Sequence, residues 1–246
     1  LTRLDVSNNA LLETLNVGNN SIGTLDMSDN TALTSLIGYT NGLTSVDVSN
    51  NTLLETLSIG DNNLTAIDIS ANTALKTLYL DNNELTTIDL SNNTALVTLY
   101  LISNSLTAID VTNNTVLSNF QFHFNNLTSI DLSNNVALDF LSGRDNNLTA
   151  IDLSNNPLIT KVWCGNNAIT SFDITNNPLV TVIQMADNDL SYVNLQNGNN
   201  TNVTGFEMSN NDNLVCVLVD DASYSTTNWT GINGYTRFSD TNCDYT

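Results

Sequence analysis

Apolar and polar positions along this chain fall into a double pattern. Leu85, Ile88, Leu90 and Asn93 follow L-x-x-L-x-L-x-x-N, and Leu96, Leu99, Leu101 and Asn104 follow it again eleven residues later. The full unit recurs every 21 residues without a slip, so that Asp5, Asp26, Asp47, Asp68, Asp89, Asp110, Asp131, Asp152 and Asp173 form one column, which Asn194 continues. Two asparagine columns keep the same period, from Asn9 to Asn177 and from Asn20 to Asn188. A fixed period of this length marks a solenoid. Each half-unit holds a short alternating stretch, such as Thr87-Ile88-Asp89-Leu90-Ser91 or Thr98-Leu99-Tyr100-Leu101-Ile102, that reads as a strand with its apolar residues inward. An Asn-rich turn follows each stretch. Asparagine tolerates left-handed backbone, and its amide can bond main-chain groups that the turn leaves unpaired. A coil with two strands and two turns has no room for a regular helix. The pattern predicts a mostly-β, right-handed solenoid of 21-residue coils with two parallel sheets, neighbouring coils lying ~4.8 Å apart. Residues 1–195 make about nine to ten such coils. Residues 196–246 read as a last irregular coil and a C-terminal cap, because "QNGNNTNV" after Leu195 is longer than the standard turn and an aromatic tail follows Val219. Trp229 in that tail is expected to be core of the cap, with a ligand anchor as the alternative.

The two half-units carry different outward residues. In the first, the Asp column is followed two positions on by Ser or Thr in every coil, the repetition expected of framework. Carboxylates stacked at ~5 Å repel by ~0.8 kcal/mol per pair even in water. Bonds from the adjoining Ser would compensate; a row of Ca²⁺ sites on Asp68, Asp89, Asp110 and Asp131 is the alternative, although Asp and Ser alone offer few oxygens for that ion. In the second half-unit the outward positions vary and gather Tyr79, Tyr100, Ile102, His123, Phe140, Arg144, Lys161 and Trp163. Exposed aromatics interspersed with cations are the composition of recognition surfaces. The competing explanation is that strand surfaces favour Tyr and Trp whatever their role.

Composition narrows the partners. With a formal net charge of −20 and a pI near 4.1, the chain repels phosphate backbones and anionic membranes, so neither nucleic acid nor lipid is expected to bind. No apolar run approaches the ~20 residues of a membrane helix. The chain opens in mid-pattern at Leu1-Thr2-Arg3-Leu4, as a mature fragment would, so a missing leader says nothing about compartment. Catalysis is not expected: any acid–base arrangement would have to be built on His123, the chain's single histidine, and no nucleophile elbow accompanies it. No cofactor is expected. Cys164 occupies an inward column and reads as a buried thiol, whereas Cys216 and Cys243 lie in the atypical tail.

The double pattern with its in-register Asp resembles the leucine-rich repeats, specifically the nested bacterial class called IRREKO, over roughly residues 1 to 195. The segment 213–245 resembles the two-cysteine C-terminal cap of secreted leucine-rich-repeat proteins of Bacteroidetes, which often continue into a sorting domain. The resemblance implies that Cys216 and Cys243 pair, and a bridge there would place the protein in an oxidising, extracytoplasmic setting. It also implies a recognition or adhesion protein, extracellular or held at the bacterial cell surface, and a monomer is expected. Its ligand would be a protein or a surface glycan. The alternative is a spacer or scaffold in a larger surface protein.

Overall fold

A computed structural model describes residues 1–243; residues 244–246, the end of the expected cap, lie outside the described residues. The chain divides into two compact units, Leu1–Asn126 and the remainder from Leu127 on. In the first unit the strands β1 (Thr14–Asn16), β2 (Ser35–Ile37), β3 (Thr56–Ser58), β4 (Thr77–Tyr79), β5 (Thr98–Tyr100) and β6 (Asn119–Gln121) pair in chain order. All are parallel and in register at the 21-residue step, as in Tyr79 opposite Tyr100. The strand centres Leu57, Leu78, Leu99 and Phe120 are fully buried, and so are Ile59, Leu80, Leu101 and Phe122 two residues on.

Asparagine closes the turns. Asn93 donates through Nδ2 to the carbonyls of Ile69 (3.0 Å) and Asn72 (2.9 Å) in the preceding coil, and Asn72 does the same to Val48 and Asn51. In the other column Asn83 donates to Ile59, Leu80 and Asp81 while its Oδ1 accepts from the Leu64 N–H at 3.0 Å. Each coil is thereby tied to its neighbour by a buried side chain as well as by the strand ladder. At the corner before each asparagine of this second column the backbone is left-handed, with φ between 51° and 57° at Asn19, Thr40, Asp61, Asn82, Ser103 and Phe124.

The second unit contains β7 (Phe140–Ser142), β8 (Lys161–Trp163), β9 (Ser171–Asp173), β10 (Val182–Gln184), β11 (Tyr192–Asn194), β12 (Gly205–Glu207), β13 (Cys216–Leu218) and β14 (Arg237–Ser239), with one α-helix among the described residues, α1 (Ala222–Asn228). The strands β7, β8, β10 and β12 form one parallel sheet, and β9, β11, β13 and β14 another. The expected second sheet is therefore regular only from Ser171 on; among the described residues before it, the Asp half-units form no strand. The regular pairing begins where the Asp column ends, with Asp173 opposite the neutral Asn194 across the ladder.

In the C-terminal segment Trp229 is 4% exposed, stacks on Phe206 at 4.5 Å and meets Phe238 edge-on at 5.6 Å. It is packed as core. Cys216 and Cys243 are joined by a disulfide across 27 residues. Cys164 is fully buried, and burial pushes its thiol up to about 12, which keeps it unreactive.

Candidate functional site

The strand ladder sets what stands outside the core. Because side chains alternate across a strand, the residue after each buried strand centre points outward, and partners in adjacent strands stand side by side. In the first unit this aligns Tyr79 with Tyr100, their rings 4.7 Å apart and tilted by 41°. The Tyr100 hydroxyl accepts from Asn119 Nδ2 at 3.1 Å, and Asn119 Oδ1 accepts from Gln121 Nε2, so the pair continues into an amide row. Burial pushes the Tyr79 phenol above its ordinary range, with Tyr100 and Asp81 adding to the effect. Burial, and then Asp61, also raises the Asp81 carboxyl, which lies over Gly60. Ile102 and His123 are half-buried two residues further along their coils, which are joined by the Ser103 N–H to the His123 carbonyl at 2.9 Å.

Sequence reasoning missed Phe124. It is 47% exposed, meets His123 edge-on at 5.4 Å, and holds φ of 57° where the other coils place Asn, Asp, Ser or Thr. A bulky residue in that conformation is an outlier. The signal was in the sequence, as the one aromatic in a column of turn-forming residues.

In the second unit Phe140 and Trp163 meet edge-on at 4.7 Å, and Lys161 Nζ lies 5.9 Å from the Phe140 ring centre, at the outer limit of a cation–π contact. The Trp163 indole Nε1 is enclosed without a hydrogen bond to any described residue. Arg144 Nε lies 3.8 Å from Asp145 Oδ2. A cavity of about 480 Å³ opens among Arg144, Trp163, Gln184, Asp187 and Glu207. Of the residues expected on this face, the structure brings together Tyr79 with Tyr100 in one unit, and Phe140, Lys161 and Trp163 in the other, with Arg144 and Trp163 sharing the cavity.

The Asp half-units are built differently. Each carboxylate turns back on its own coil: Asp89 Oδ1 accepts the Ser91 N–H at 2.9 Å, and Asp68, Asp131 and Asp152 repeat this with Ser70, Ser133 and Ser154. These bonds from the serine hydroxyl and backbone hold the exposed carboxyls of Asp68, Asp89 and Asp131 below the ordinary aspartate range. At Asp110 the donors are the Thr112 N–H at 2.9 Å and its hydroxyl. Among the described residues no three His, Cys, Asp or Glu side chains converge as a metal site would require.

Comparison with known proteins agrees with this architecture. Residues 52–93 match the family model described as Leucine Rich repeats (2 copies). A search of curated proteins finds no match. The functional domain of InlJ from Listeria monocytogenes, described as including a cysteine ladder, superposes with a TM-score of 0.77 at 32% identity, covering 87% of this chain and 50% of that one. This chain thus spans half the length of that structure. A leucine-rich-repeat protein of Leptospira interrogans superposes with a TM-score of 0.74 at 18% identity, over 93% of this chain and 67% of that one. The ectodomain of the Arabidopsis thaliana receptor kinase GASSHO1/SCHENGEN3, in complex with Casparian strip integrity factor 2, gives a TM-score of 0.67 at 21% identity, over 84% and 29%.

Proposed function

On the premise that the fold is a leucine-rich-repeat solenoid, we propose that this chain is a non-catalytic recognition or adhesion module of the extracellular space or bacterial cell surface. Its ligand is a protein or a surface glycan, bound through the outward positions of the second half-units. The observation that carries this reading is the contrast between the half-units. One keeps its polar groups bonded inside its own coil, as Asp89 does with Ser91. The other sets aromatic pairs outward, Tyr79 with Tyr100 and Phe140 with Trp163. The leucine-rich-repeat fold commonly mediates protein binding, which favours recognition over chemistry. His123 packs against Phe124 and no metal cluster accompanies it among the described residues. The unbroken 21-residue step favours membership of the nested class found in surface proteins of Bacteroidetes.

A glycan array and a pull-down separate the two ligand classes. Tyr100→Ala and Trp163→Ala are expected to abolish whichever binding is found. Full affinity in both variants would refute this face and leave the chain a spacer.

A further inference from the structure

The cavity of the second unit follows from three rows of residues. Trp163 on β8 is the register partner of Gln184 on β10, and Gln184 of Glu207 on β12, so these side chains stand in line at the ~4.8 Å spacing of adjacent strands. Two residues on, the β8 and β10 coils carry Gly165 and Ala186, with Arg144 at that position in the coil before and Ser209 in the coil after. Beyond these lies the left-handed corner row of Asp145, Asn166 and Asp187, with φ of 54°, 55° and 57°. These rows flank a floor whose two middle positions lack long side chains, which leaves the trough of about 480 Å³ between Arg144 and the β12 coil, a volume typical of small-ligand clefts. The first unit shows what normally prevents this. There a glycine at the floor position is covered by the next coil: a Cβ on Gly18 would come 2.6 Å from the Tyr39 ring, and one on Gly60 would come 2.8 Å from the Asp81 carboxylate. A Cβ on Gly165 would instead meet first the backbone carbonyl of Ala186, at 3.0 Å.

The polar groups are held in place by the protein's own bonds. Asp187 Oδ1 accepts from Asn210 Nδ2 at 2.8 Å, Asp145 Oδ1 from Asn166 Nδ2, and Glu207 Oε1 from the hydroxyl and N–H of Ser209. Asp187 and Glu207 are each fixed through one oxygen and retain acceptor capacity on the other, while the second oxygen of Asp145 faces Arg144 Nε at 3.8 Å. Gln184 offers both a donor and an acceptor, and Arg144 offers donors only. Such a mixture matches vicinal hydroxyls, each of which donates and accepts.

We propose that this trough is a carbohydrate subsite that takes a neutral hexopyranose unit of a glycan, with its C–H face against the Trp163 indole and its hydroxyls on Gln184, Asp187 and Glu207. The proposal rests on the variable sheet being the recognition surface and assigns the ligand class for this part of it. An acidic sugar would meet three carboxylates against one guanidinium, and a cationic ligand is the competitor that the peptide titration decides.

The test uses the protein on an array of neutral and acidic glycans, with a lysine-rich peptide titrated in parallel. Ala186→Tyr copies the Tyr39-over-Gly18 arrangement, filling the trough with a packing the fold already uses. Neutral hexose glycans are expected to bind, with affinity reduced about a hundredfold or more in Ala186→Tyr and about tenfold in Glu207→Gln, where a charged acceptor is replaced by a neutral amide. Melting curves confirm that the variants fold. Absence of any bound neutral glycan, unaltered binding in Ala186→Tyr, or preference for the peptide or for acidic glycans would overturn the assignment. A protein partner lost in Tyr100→Ala, with no glycan bound, would overturn this subsite and leave the recognition face intact. Full ligand affinity in Tyr100→Ala and Trp163→Ala would remove the face itself.

Discussion

Asn62→Ala isolates what the turn asparagines contribute. Asn62 Oδ1 accepts from the backbone N–H groups of Asn41 (3.1 Å) and Leu43 (2.9 Å), and its Nδ2 donates to the carbonyls of Gly38, Ile59 and Gly60 at 3.0 to 3.1 Å. The three carbonyls are insured: Gly38 also accepts from Asn41 Nδ2, Ile59 from Asn83 Nδ2, and Gly60 from the Thr40 N–H. The cost therefore falls on the two N–H groups, whose residues are 2% and 1% exposed. A buried donor left without a partner costs about 1–3 kcal/mol, so the pair costs about 4 kcal/mol. At ~2–4 °C per kcal/mol for a chain of this length, the melting temperature is expected to fall by about 8–16 °C. The exposed neighbour Asn63→Ala serves as the control and is expected to stay within about 0.5 kcal/mol of the parent. Native-state hydrogen exchange should show the loss locally, at the Leu43 amide, since a solenoid transmits damage mainly to adjoining coils. Equal melting temperatures for Asn62→Ala and Asn63→Ala would refute the reasoning.

Phe124→Asn replaces a strained aromatic with a residue that tolerates left-handed backbone. It is expected to stabilise the fold by about 1 kcal/mol, read as a melting temperature ~2–4 °C higher; a lower one would contradict the strain. Acid should weaken the protein. The carboxyls of Asp5, Asp26, Asp47, Asp68, Asp89, Asp131 and Asp152 are held below the ordinary aspartate range by bonds from the adjoining serines, so their contribution is present above that range and lost as pH falls toward the depressed folded values. The raised Asp81 carboxyl acts in the opposite sense, favouring the fold as it is protonated, and is outnumbered. Urea midpoints should decline between about pH 5 and pH 2, and a flat profile would contradict the Asp–Ser bonds. Reducing the Cys216–Cys243 bridge, which closes 27 residues of sequence, is expected to cost about 3.5 kcal/mol by loop entropy; an unchanged denaturation midpoint under reductant would count against that.

Much of the architecture was legible because it is periodic. Leu78, Leu80, Leu99 and Leu101 declare two inward positions per strand, and the asparagine columns declare the turns, since a buried amide recurring at one step has few places to bond except the neighbouring coil. The uneven second sheet was not legible from Leu and Thr alternation alone. It begins where Asn194 takes the place of the column's Asp opposite Asp173, a position the alternation does not single out. The candidate face was legible as a list of outward residues, including Tyr79, Tyr100, Phe140 and Trp163. The trough was not, because it comes from what Gly165 and Ala186 fail to cover. Whether the next side chain leans across a glycine, as Tyr39 and Asp81 do, is a matter of packing between coils. Phe124 was overlooked because it sits at a corner, outside the strand positions that carry the alternation.

The central claim is that one half-unit is framework and the other recognises. Its most direct measurement compares ligand affinity in two matched variants: Tyr100→Ala with Trp163→Ala on the variable strands, and Asp89→Asn with Asp110→Asn in the constant half-units. The account predicts loss of binding in the first and parent affinity in the second. Loss confined to the aspartate variant would contradict it.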